Sequence, residues 1–147
     1  MHNINTLNTF LKDELSAMET YQQVLNSLKN EVGLGNSESL MPIYDDHSEA
    51  VFSLQGLIRR LDGTPVESSG AWGTWAKMLM GGATMMGHKS ALKALHEGEK
   101  NGAKDFEAAL EDAELPSDIR ALIETKLLPD QQEHIRILEQ LLDATVA

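Results

Sequence analysis

The chain has 147 residues, 41% hydrophobic and 24% charged, which suits one domain with a buried core. Asp and Glu number 23 against 12 Lys and Arg, a formal net charge of −11; that balance argues against nucleic acid and anionic membrane surfaces as partners. Cysteine is absent, so disulfide scaffolds, thiolate zinc sites, iron–sulfur clusters and cysteine nucleophiles are excluded.

Residues 1–15 are polar and lack the apolar core and small-residue cleavage site of a signal peptide. No run approaches the roughly 18 apolar residues that span a bilayer. A cytoplasmic protein is expected. The first long segment carries Ile4, Leu7, Leu11, Glu14, Met18, Tyr21, Leu25 and Leu28 at alternating spacings of three and four. That spacing predicts a helix packed in a bundle, over about residues 4–30, stopped by Gly33 and Gly35. A second stripe runs through Leu40, Tyr44, His47, Val51, Leu54, Ile58 and Leu61. Pro42 fits only near a first turn, which places the helix at about 38–62, and Asp62-Gly63-Thr64-Pro65 ends it.

Residues 63–88 are rich in Gly, Ser and Pro and read as a long crossover. Within it, Ala71 to Met80 is a short helical candidate with Trp72, Trp75, Ala76 and Leu79 on one side. Trp72, Trp75 and Met78 are the candidate contact of a homodimer, and Met78, Met80, Met85 and Met86 read as packing or subunit contact rather than a copper site. A third stripe, Leu92, Leu95, Glu99, Gly102, Phe106 and Leu110, predicts a helix over 87–112. After the turn at Leu115-Pro116-Ser117-Asp118, a fourth segment over 118–145 carries Ile119, Leu122, Ile123, Leu127, Gln131, His134, Leu138 and Leu141. Pro129 either kinks this helix or marks the start of a second one. The expected fold is a single all-α domain, a four-helix bundle with a long crossover.

Polar groups break each stripe near its middle: Glu14, then Tyr44 and His47, then Glu99, then Gln131 and His134. A lone carboxylate inside a bundle costs several kcal/mol unless paired or neutralised. Two Glu and two His gathered together could bind a divalent ion, pair with each other, or hydrogen-bond to Tyr and Gln. Antiparallel packing about a turn near residue 115 sets Glu99 opposite Gln131, with His134 one turn further. A turn near residue 35 sets Glu14 opposite residue 56, leaving His47 about 13 Å away at ~1.5 Å per residue. His88 and His96 read as surface residues.

The stretch Glu14-Leu15-Ser16-Ala17-Met18-Glu19-Thr20-Tyr21 resembles the first-helix motif of bacterioferritins and other ferritin-like proteins. Glu99-Lys100-Asn101-Gly102-Ala103-Lys104-Asp105-Phe106 resembles their third-helix motif, and Gln131-Gln132-Glu133-His134 their fourth-helix Glu-x-x-His. The whole chain, from about residue 5 to 142, is more similar to the ferritin-like bacterial family of unknown function called DUF2383. That similarity includes Arg60-Leu61-Asp62-Gly63-Thr64-Pro65, Ser68-Ser69-Gly70-Ala71-Trp72-Gly73, His96-Glu97-Gly98-Glu99 and Leu127-Leu128-Pro129-Asp130-Gln131.

The resemblance implies a ferritin-like bundle and supplies no activity. A di-iron site of that kind takes a Glu from each of two helices and a Glu-x-x-His from each of the others. Glu14, Glu99 and His134 match; Gln131 and Tyr44 stand where the bridging carboxylates would be. The expected site is therefore degenerate: one iron, zinc or manganese ion held by Glu14, His47, Glu99 and His134, with Tyr21, Tyr44 and Gln131 behind them. The alternative is a metal-free structural or interaction bundle whose polar cluster sets helix register.

Overall fold

The computed structural model describes residues 2–28, 35–67 and 88–144. The crossover helix expected at 71–80, Trp72, Trp75, the methionines 78 to 86 and the side chain of His88 lie outside the described residues. The fold is all-α, with no strand among the described residues. The helices are α1 (His2–Leu28), α2 (Gly35–Arg60), α3 (His88–Leu110), the short α4 (Ser117–Leu122) and α5 (Leu128–Ala144). A π-helical turn, Ile123–Leu127, joins α4 to α5. Four long helices of this kind are compatible with a four-helix bundle. By compactness the chain forms two units, Met1–Ala91 and Leu92–Ala147.

In the first unit α1 and α2 pack as an antiparallel hairpin. Their buried faces are broader than a two-residue heptad seam. Phe10, Ala17 and Val24 on α1, and Ile43, Ala50 and Leu57 on α2, are buried beside the expected stripe. Leu61, expected on the stripe, is exposed, and Tyr44 is half-buried. Pro42 lies inside α2, not in its first turn. Its side chain faces solvent, so the helix loses one backbone donor without burying the gap.

The end of α2 is closed by a Schellman motif. Gly63 N donates to Ile58 O at 2.9 Å and Asp62 N to Arg59 O at 3.0 Å, with Asp62 in the left-handed region (φ 63°). Asp tolerates that conformation better than most residues. Gly63 has a different reason to be glycine: a Cβ there would meet Ile4 Cγ2 of α1 at 2.8 Å. Asn8 then fastens the segment that leaves α2. Its Nδ2 donates to Thr64 O at 3.1 Å, and its Oδ1 accepts from Val66 N at 2.9 Å.

In the second unit α3 runs antiparallel to α5, tied by side chains from His96 to Glu139 and from Glu99 to Gln131 and His134. Arg120 of α4 closes the C-terminus of α3, donating to Leu110 O (3.0 Å) and Asp112 O (2.7 Å). The turn between them is set by Asp112 Oδ1, which accepts from Glu114 N at 2.9 Å. Pro129 falls at the second residue of α5, immediately after the π turn. The Leu128 N–H reaches back to Ile123 O, five residues away. This wider turn separates the proline ring from the carbonyl it would strike in a continuous α-helix. The fourth segment is thus bulged at Pro129 and not split.

Candidate functional site

Glu14, His47, Glu99, Gln131 and His134, polar groups on otherwise apolar stripes, are all buried. In the first unit His47 Nδ1 hydrogen-bonds Glu14 Oε2. Tyr21 stacks on His47, with ring centroids 5.4 Å apart and planes inclined by 30°. Tyr21 is fully buried. Of the two tyrosines expected around the site, it is the one that packs on the imidazole.

The separation expected between Glu14 and His47 is corrected by the structure. The two side chains are hydrogen-bonded, so Glu14 and His47 stand at one level of α1 and α2, and the antiparallel pairing is not centred on residue 35.

In the second unit His134 Nδ1 lies 3.2 Å from Glu99 Oε1. Gln131 Nε2 donates to the Glu99 main-chain oxygen at 3.1 Å. Glu99, Gln131 and His134 therefore meet at the level their spacing predicts. Gly102, on the expected α3 stripe, is buried, and a Cβ there would collide with Gln131 Nε2. Sequence reasoning placed Gly102 on the stripe but assigned it no role; a glycine at a buried stripe position is the signal that a neighbour needs its space. His96, expected at the surface, is half-buried and hydrogen-bonds Glu139 at 3.1 Å. It stands one turn before Glu99 on α3, so it braces α3 against α5 beyond the buried pair.

Each buried carboxylate thus faces an imidazole nitrogen, and each of these residues is of a type that ligates metals. Each pair is described within its own unit: Glu14 with His47 in the first, Glu99 with His134 in the second. Beyond these donors, no helix among the described residues is long and apolar enough to cross a membrane.

Comparison with known proteins adds a family and no activity. No curated protein and no solved structure matches the chain. The family described as Domain of unknown function (DUF2383) matches residues 2–112, from α1 to just past the end of α3, and the chain belongs to it.

Proposed function

We propose that this protein is a ferritin-like bundle domain that holds one divalent metal ion through Glu14, His47, Glu99 and His134. Tyr21, Tyr44 and Gln131 surround these donors. The observation that carries the reading is the Glu99–His134 pair. Two ligand atoms of a tetrahedral ion with bonds of ~2.0–2.1 Å stand about 3.3 Å apart. Glu99 Oε1 and His134 Nδ1 are 3.2 Å apart. The two atoms that share a hydrogen already stand at the separation that one ion would require.

Carboxylate and imidazole together suit zinc, iron or manganese. The set lacks the further carboxylates needed to neutralise two ions, so one ion is proposed and not a di-iron centre. Iron or manganese held there would bring redox chemistry with oxygen or peroxide, and the chain would supply its binding and shielding. A cytoplasmic location, and a second copy docked through Trp72, Trp75 and Met78, complete the proposal.

Metal analysis of protein purified without chelator tests it. A stoichiometric ion, lost in Glu99→Ala and in His134→Ala, is the expected result. Wild-type protein that is metal-free and resists loading with iron and zinc overturns it.

One observation favours a second reading. Among the described residues, every buried side-chain nitrogen and oxygen already has a hydrogen-bond partner without an ion. A cluster complete in itself can fix helix register in a metal-free structural protein. Unchanged thermal stability on adding iron or zinc belongs to this reading alone.

A further inference from the structure

We infer that Gly102 and Gln131 form a steric key that positions Glu99 against His134. The importance of the key for ligation rests on the metal reading above; the key itself does not.

Gly102 stands three residues after Glu99 on α3, and Gln131 three residues before His134 on α5. Residues three apart share a helix face, so the two cross-helix contacts lie one turn apart along the same seam. Glycine is a poor choice for the interior of a helix, and at a buried stripe position it gives up apolar packing as well. Its place here is explained by what lies over it. A Cβ on residue 102 would collide with Gln131 Nε2 and approach Gln131 Cδ to 3.2 Å.

The amide in this notch is not idle. Its Nε2 donates to the main-chain oxygen of Glu99 at 3.1 Å. A helical carbonyl keeps a second lone pair beyond its ladder bond, and an amide nitrogen can fill it. Gln131 therefore grips the backbone of the residue whose side chain meets His134. Notch and grip together fix the level of α3 against α5 at this turn. A carboxylate at 131 has no hydrogen to give a carbonyl oxygen, and a thioether has none either. This chemistry explains an amide at a position where a ferritin-like pattern would carry Glu. Gln131 is a positioning residue and not a ligand.

Three variants test the key: Gly102→Ala, Gln131→Met, and the double variant Gly102→Ala with Gln131→Ala. Urea unfolding of metal-free protein is measured first. Gly102→Ala is expected to lower the midpoint although alanine is the better helix former, and the double variant to recover part of that loss. A Gly102→Ala midpoint at or above the wild type overturns the key, as does a double variant no more stable than Gly102→Ala. Cobalt(II) is then the metal probe, read by its visible absorption. Gln131→Met keeps the side-chain length and removes the donor. It is expected to fold, to bind cobalt at least tenfold more weakly and to shift the bands, which a purely space-filling role would leave in place. Wild-type affinity and bands in Gln131→Met overturn the positioning role. If wild-type protein binds no cobalt, the metal reading falls, and the urea comparison alone decides the key.

Discussion

Glu14 on α1 and Glu133 on α5 are both carboxylates with a cationic or potentially cationic partner, yet they do different things. Glu14 is buried beside His47, where little water reaches, so its oxygens must find their partners within the protein. Glu133 is exposed and meets Arg136 three residues on, through Arg136 Nε at 3.1 and 3.0 Å and through a further short contact from Nη2. That hydrogen bond, and then the guanidinium charge, hold the Glu133 carboxyl below its usual range. A carboxyl lowered in the folded state adds stability above its unfolded pKa and loses it as pH falls through the lowered value. Here both partners are open to solvent, where such pairs contribute little. Arg136→Ala should therefore return the Glu133 carboxyl upward, toward the usual range, in an NMR titration. The thermal midpoint should stay where it is at neutral pH. A carboxyl that remains low without Arg136 contradicts this account.

At the scale of elements, the instructive piece is the π turn. Buried side chains of the fourth segment fall at Ile119, Ile123, Leu127 and Gln131, in steps of four. Three steps of four overrun three turns of a 3.6-residue helix by about 1.2 residues. A straight α-helix would carry Gln131 and His134 off the seam. A single π turn takes up roughly one residue and keeps them on it. The steps of four are legible in the sequence, and so is Pro129, but neither says locally that a π turn absorbs the extra residue. Pro42 misled in a similar way, because an exposed proline can stand inside a helix whose remaining turns are well packed. Deleting the exposed Thr125 should remove the one residue that the π turn absorbs, close the segment into a continuous α-helix and keep Gln131, His134 and Leu138 on the seam, at the cost of the Pro129 ring meeting the preceding turn. Deleting the exposed Gln132, where no extra residue is stored, should instead turn all that follows by ~100° and carry His134 and Leu138 out of the core. Circular dichroism should then show a cooperative thermal transition, shifted down, for the first variant and a lost or much broadened one for the second. Equal losses in the two would show that the π turn carries no register.

Across the whole molecule, the all-α class followed from the three-and-four spacing of apolar residues, which survives any error in helix ends. The level of Glu99 with Gln131 and His134 was also legible, since the turn at Leu115-Pro116 is sharp. The level of Glu14 with His47 was not, because Gly33 and Gly35 both read as stops and neither fixes the residue about which α1 and α2 pair. Gln131 appeared as a missing carboxylate, and only the packing on Gly102 showed why an amide belongs there. Each compact unit contributes one Glu–His pair, and the proposal requires both pairs for one ion. That requirement has a thermodynamic consequence. An ion that binds the native state alone, at 100 times its Kd, adds ~2.7 kcal/mol of stability, or roughly 5–10 °C for a chain of this size. Glu14→Gln with His47→Gln should abolish this metal-induced shift as completely as Glu99→Gln with His134→Gln. A shift that persists in one of these double variants and vanishes in the other would assign the ion to a single pair, and the four-donor site would fall.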